Sequence, residues 1–377
     1  MKIPFNKPYL TGKETHYLYD AVSTGKLSGN GKYTQKCQKF FEEEYGFGKS
    51  LLTTSCTDAL EMAAILINIK EGDEVIMPSY TFVSTSNAFV LRGAMIVFAD
   101  SRKDRPGIDE DSIEALITKR TKAIVPVHYA GVACDMDKIM ELANKYNLYV
   151  VEDAAQAIDS YYTGRDGVKK ALGSIGHLAA FSFHETKNII SGEGGMLAIN
   201  DMQFAKRAEI IWEKGTNRSA FFRGEVDKYG WVDIGSSFLP SELISSFLWA
   251  QLENLENIQA RRKQLWAQYY YGLKEWALKN DIMIPFVPSF ATINGHMFYL
   301  VCKSPKQRKE LIAKLKENDI HAVFHYLSLH KSPFYIDRHD GRYLPFVDYY
   351  SDCLVRLPLF YELKDEEVIS VVDYLIN

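Results

Sequence analysis

Short, almost wholly apolar runs punctuate the first two thirds of the chain. They are SLLTTS (50–55), DEVIMPS (73–79), AMIVFAD (94–100), KAIVPVH (122–128), NLYVVED (147–153), LAAFSF (178–183) and GGMLAIND (194–201). A strand-length run that does not alternate with polar residues reads as a strand covered on both faces. Between the runs, the spacing predicts helices over 57–69, 84–92, 109–118 and 135–146. Strands alternating with helices predict an α/β fold with a mainly parallel sheet. Two of the runs end in carboxylates, Asp100 and Asp153. Ligands in such folds bind outside the carboxyl ends of the strands, so these ends are where chemistry is sought first.

A long helical pattern starts near Ser241 and meets neither glycine nor proline until Gly272. It reads as a bridge between a large domain, 1–250, and a smaller C-terminal α+β domain, 251–377. The smaller domain carries an apolar segment at 296–304, a helix over 307–318 and the stretch HAVFHYLSLH at 321–330.

Composition narrows the classes. The chain has 377 residues, 47% hydrophobic and 24% charged, which excludes a disordered tail, a collagen-like fibre and a disulfide mini-domain. A net charge of −4 leaves no basic footprint for nucleic acid. The five cysteines follow no CxxC or Cys/His spacing, so neither a zinc site nor a disulfide framework is expected. The opening MKIPFNKPYLTGKE lacks a long apolar segment, and no run reaches the length of a membrane helix. A cytoplasmic protein is the expectation.

Candidate chemistry gathers at strand ends. Lys187 stands in SFHETKNIISGEGG, after an apolar run and before a glycine-rich turn. It is either a surface charge or, enclosed in a cleft, an amine whose lowered pKa suits a Schiff base. Asp153 in VVEDAAQA is either a strand-end cap or a buried carboxylate facing the pyridine nitrogen of pyridoxal phosphate. Gln156, three residues on, can then meet the ring hydroxyl. In TTSCTDALEMAA (53–64), a strand end runs into a helix start, whose free amides suit an anion as well as they suit plain capping. Ser182 can add a hydroxyl there. Phe82 in PSYTFVST is either core or a platform for a flat ring.

Taken together these segments resemble the sugar-nucleotide aminotransferases, pyridoxal 5′-phosphate enzymes of fold type I. The similarity runs nearly end to end, with PVHYAGVACDMD, EDAAQA, FSFHETKN and SGEGG its most specific stretches. It implies a large, mainly parallel mixed-sheet domain followed by a smaller one. It implies that Lys187 bears the cofactor, Asp153 meets the ring nitrogen, Gln156 the ring hydroxyl and Phe82 the ring face. Cys56, Thr57 and Ser182 match the phosphate-binding positions, with cysteine in place of the usual small residue. The family's G-Y-N-Y-R stretch reads Gly235-Ser236-Ser237-Phe238-Leu239 here, which puts Ser237 where an asparagine reaches the neighbouring subunit's phosphate. A homodimer with active sites at the subunit interface follows from the same resemblance. So do L-glutamate as donor and a nucleotide-diphosphate keto sugar as acceptor. Segments 77–94 and 214–243 are most similar to members that aminate C-4 of dTDP-4-keto-6-deoxy-D-glucose to the galacto product. A C-3 aminotransferase, a dehydratase and a non-catalytic sensor are the alternatives, and Lys187 argues against the dehydratase, which has histidine there. Arg218, Arg223 and Lys228 form either a diphosphate clamp or a charged surface loop. Tyr326, His325 and His330 match a substrate-side motif.

Overall fold

The computed structural model describes residues 2–377. Seven strands build the central sheet: β1 (Lys49–Thr53), β2 (Glu74–Pro78), β3 (Met95–Ala99), β4 (Thr121–Ile124), β5 (Tyr149–Asp153), β8 (Leu178–Ser182) and β9 (Gly195–Ile199). A hairpin of β6 (Tyr161–Thr163) and β7 (Lys169–Ala171) lies between β5 and β8 in the chain. The order across the sheet is β1-β9-β8-β5-β4-β2-β3. The strands from β3 to β8 are parallel, and β9 runs antiparallel to both β8 and β1. The fold is thus the expected mainly parallel mixed sheet.

Burial explains why the runs do not alternate. Val75, Met77, Ala123, Val151 and Leu197 enter one hydrophobic core. Their neighbours Ile76, Ile124, Val150 and Met196 enter another on the opposite face. Successive side chains point to opposite faces, and both faces are covered. Each large aliphatic residue buried this way contributes about 1.5–3 kcal/mol.

The helices that precede and cover the sheet are α1 (Glu14–Ser23), α2 (Lys32–Tyr45), α3 (Cys56–Leu66), α4 (Val83–Val90), α5 (Met136–Tyr146), α6 (Ala205–Trp212), α7 (Arg218–Phe222) and α8 (Glu242–Leu252). Their starts are chemical: Ser55 accepts from the Asp58 amide before α3, and Asp135 from the Lys138 amide before α5. Then come α9 (Leu255–Lys279), β10 (Phe298–Val301), α10 (Pro305–Glu317), α11 (Pro345–Cys353), β11 (Leu354–Leu357) and α12 (Asp365–Ile376), with β10 and β11 paired antiparallel. Among the described residues, no helix is long and apolar enough to cross a membrane.

Two expected helices change. The 109–118 segment forms a single 3-10 turn, Glu114–Leu116. Its acidic residues serve partners outside the segment instead: buried Glu110 pairs with Arg102 and Arg105 and accepts the Asp135 amide at 2.7 Å. The bridge from Ser241 splits at Glu253 and Asn254, and α8 turns to pack on α1 and α2 while α9 packs on α12. The expected division after residue 250 lies inside α8. Asp100 also leaves the list of site candidates, because its carboxylate accepts from the Val347 and Phe346 amides at the start of α11.

Candidate active site

The carboxyl ends of β2, β4, β5 and β8 open onto one cavity of about 800 Å³. The chain leaves β2 outward to β3 and returns on the other side as β4, which opens a crevice at the strand ends. Lys187, Asp153, Gln156, Phe82, Ser182, Cys56 and Thr57 all line this cavity.

Antiparallel pairing of β8 and β9 places the 183–194 turn at the same end of the sheet, with Ser182 opposite Gly195. Gly195 is the glycine that this geometry requires. A Cβ there would lie 2.4–2.5 Å from the backbone of Ser55 and Cys56, the entry to α3. Without a side chain, the Lys187 turn and the α3 N-terminus can approach each other.

Enclosure pushes the Lys187 amine below the ordinary lysine range, while the neighbouring Cys56 and Asp153 pull it partly back. Burial pushes the Cys56 thiol up, so that side chain stays protonated. Asp153 is only 5% exposed. One oxygen accepts from Thr85 Oγ1 at 2.7 Å and the other from the Ala155 amide at 3.1 Å. Thr85 is in turn bonded to Thr81 at 2.8 Å. Gln156 accepts from the Ala130 amide at 2.6 Å and donates to the Tyr326 hydroxyl at 3.0 Å, which brings the C-terminal segment to the cavity. Phe82 stays 56% exposed at the cavity wall, its ring 6.1 Å from that of Tyr326. At the start of α3, the amides of Cys56 and Thr57 meet no acceptor within the described residues, and Thr57 Oγ1 lies 2.7 Å from Ser84 Oγ.

Other expected residues lie elsewhere. His330 is 4% exposed and bonds Ser79 Oγ at 2.9 Å with Asp348 behind it, tying its loop to the end of β2 rather than lining the cavity. Arg223 is committed to Glu209 and Glu225. Arg218 lies over Phe222 on α7, and neither it, Lys228 nor exposed Ser237 lines the cavity. His325 and His184 do line it, His325 bonded through Nδ1 to the Tyr129 hydroxyl at 2.6 Å.

Sequence reading missed Thr85, Ser84, Tyr129 and Arg356. The first two stand in the stretch around Phe82, where hydroxyls one helical turn past Thr81 were a visible signal. Arg356 meets the cavity only through long-range packing, and Tyr129 stands behind the wall, bonded to His325.

Comparison with known proteins adds an independent line. The family model described as the DegT/DnrJ/EryC1/StrS aminotransferase family matches residues 8–376. The spore coat polysaccharide biosynthesis protein SpsC of Bacillus subtilis is 32% identical over 98% of this chain and 95% of its own. DesV of S. venezuelae, solved in complex with a ketimine intermediate, is 28% identical with a TM-score of 0.89, covering 100% of this chain and 98% of that one. An aminotransferase from Psychrobacter cryohalolentis is 26% identical with a TM-score of 0.91, covering 99% and 98%.

Proposed function

The chain belongs to the DegT/DnrJ/EryC1/StrS aminotransferase family, and on that premise we propose that it moves the amino group of L-glutamate to C-4 of dTDP-4-keto-6-deoxy-D-glucose, giving dTDP-4-amino-4,6-dideoxy-D-galactose. It is a sugar aminotransferase, and its cofactor is pyridoxal 5′-phosphate. The observation that carries the reading is the meeting of Lys187, Asp153, Gln156 and Phe82 in one cavity.

The side chains present fit this cofactor. The unpaired amides of Cys56 and Thr57, with the Thr57 and Ser182 hydroxyls, suit a phosphate at a helix N-terminus. Exposed Phe82 offers a face for a flat ring, and Gln156 an amide for its hydroxyl. Bound there, the cofactor supplies an aldehyde that captures amines and a ring that withdraws electrons. Asp153 holds a proton on the ring nitrogen, because opposite charges away from water favour both ionised forms. Thr85 and the Ala155 amide fix its orientation. Lys187 Nζ, more readily neutral than an ordinary lysine, takes the proton from the donor's α carbon and later returns one to the carbon that receives the nitrogen.

The substrate and its position rest on the similarity of segments 77–94 and 214–243. The active unit in this reading is a homodimer in the cytoplasm. The segment bearing Arg218, Lys228 and Ser237 reaches the neighbouring protomer's site, and exposed Phe222 and Trp231, at 69% and 83%, support that role. Incubation with glutamate and either dTDP-4-keto- or dTDP-3-keto-6-deoxy sugars, with NMR of the products, tests it. Amination of the 4-keto sugar is expected. Reaction with the 3-keto sugar alone makes the enzyme a C-3 aminotransferase.

A further inference from the structure

Asn188, the residue after Lys187, is buried at the centre of a polar network. Its Nδ2 donates to Gln259 Oε1 of α9 and to the main-chain carbonyl of Asn294, both at 2.8 Å. A main-chain carbonyl can only accept, so the orientation of this amide is fixed and Oδ1 faces the other way. There it meets His296 Nδ1 at 2.8 Å. The His296 backbone is pinned as well. Its amide donates to Asn294 Oδ1 at 3.0 Å, and its carbonyl accepts from Arg262 Nη2 at 2.8 Å. Asn294 in turn donates to the carbonyls of Gln156 and Ile158, at 2.8 Å each. His296 is thus held between the Lys187 turn and the Gln156 turn.

Asn188 Oδ1 carries no proton, so His296 Nδ1 must donate, and a neutral ring then has a bare lone pair at Nε2. Burial holds the ring neutral, and the cations Lys187, Arg262 and Arg356 all oppose a charge on it. His296 lines the cavity together with Lys187, whereas Asn188 does not. With Nδ1 turned to Asn188, the ring presents Nε2 to the cavity. Lys187 has a use for such an acceptor. Once it takes a proton, its ammonium has three N–H groups in an enclosed site, where unmet donors are costly. Other acceptors nearby are committed: the Asp153 oxygens to Thr85 and the Ala155 amide, and Thr57 Oγ1 to Ser84.

We infer that His296 Nε2 accepts an N–H of Lys187 whenever that amine is detached from the cofactor, and so aims it at the carbons between which it moves protons. The inference rests on the aminotransferase reading and adds a positioning residue to it. His296 takes up no proton itself. The hydrogen bond strengthens as Lys187 becomes charged, which is when the amine needs holding.

Asparagine and glutamine separate the two ring nitrogens. His296→Asn keeps a donor within reach of Asn188 and places nothing at Nε2, whereas His296→Gln carries an amide oxygen to the Nε2 position. In the holoenzyme, His296→Asn is expected to slow cofactor bleaching by L-glutamate about 10–100-fold, and α-deuterated glutamate should slow it further. His296→Gln should recover to within about fivefold of wild type. A second readout needs no turnover. In the cofactor-free protein at fixed pH, acetic anhydride should label Lys187 about three- to tenfold faster in His296→Asn, because loss of the acceptor leaves more neutral amine, with His296→Gln close to wild type by peptide mass spectrometry. Unchanged near-ultraviolet circular dichroism establishes that the variants fold. Nitrogen NMR of histidine-labelled wild-type protein should show His296 neutral and protonated at Nδ1. Protonation at Nε2 overturns the inference. So do wild-type rates in His296→Asn, damage confined to His296→Gln, or equal losses in both with unchanged labelling, each of which makes the ring only an anchor for Asn188. If wild-type enzyme is bleached by no amino acid, the aminotransferase reading itself fails, and the labelling of Lys187 still decides the contact.

Discussion

Lys187 carries a charge that its surroundings oppose. Burial lowers its pKa, so the folded protein prefers the neutral amine and the unfolded chain binds the extra proton. Stability of the cofactor-free protein therefore rises with pH, from the depressed folded value up to the ordinary lysine pKa. A Lys187→Met variant lacks this slope. The Tm advantage of the variant over wild type should shrink as pH rises through that window, and parallel melting curves would remove the desolvation argument. In the holoenzyme, Lys187→Ala should lose the borohydride-trapped adduct and slow turnover by about 10³-fold or more. An adduct mapped to another side chain would displace Lys187 from its role. Asp153 depends on Thr85 for one of its two hydrogen bonds. Thr85→Val should weaken cofactor binding about 5–20-fold, from the loss of one charge-assisted contact, with a smaller effect on the keto-sugar KM.

At the scale of elements, the site depends on close approach of two backbone segments. The β9 start meets the α3 entry at Gly195, where any side chain strikes backbone atoms that cannot rotate away. Gly195→Ala should destabilise the fold by about 2–4 kcal/mol and reduce cofactor affinity, measured by urea unfolding and by titration. A second coupling joins the 328–332 loop to the end of β2 through His330 and Ser79. Burial drives the His330 pKa down to about 4, against the favourable Asp348 and with His339 and Lys331 opposing its charge. A depressed histidine is neutral in the fold and charged in the unfolded chain. Its cost is absent above about 6.5 and grows as pH falls toward 4. His330→Gln should flatten the acid limb of the stability curve over that interval, followed by thermal melts. The 109–118 segment shows the opposite lesson. Its helical spacing was legible, but Glu110 is drawn into ion pairs with Arg102 and Arg105, and a local preference yields to that burial.

Across the whole molecule, the sheet gathers residues far apart in the chain into one crevice. Phe82, Asp153, Lys187 and Tyr326 come from separate segments, joined by contacts such as the Gln156 to Tyr326 hydrogen bond. The 217–238 segment, with Trp231, Phe222 and Tyr229 largely exposed, lies outside this crevice within one chain. If it serves a neighbouring protomer, light scattering should give a dimer near twice 43.0 kDa, and Trp231→Ala should weaken that dimer and lower activity together. A fully active monomer would end that proposal.

The amino-acid sequence settled the strands, because residues buried on both faces must be apolar without interruption and that leaves a readable run. It also marked the strand-end lysine and carboxylate, whose residue types and flanking glycines are local signals. Which charged groups share the cavity was decided only by the tertiary structure. Arg223 and Arg356 look alike as letters, yet one is balanced by Glu209 and Glu225 and the other is enclosed without a counter-ion. Charge balance depends on partners brought from distant positions, and periodicity along a chain does not encode them.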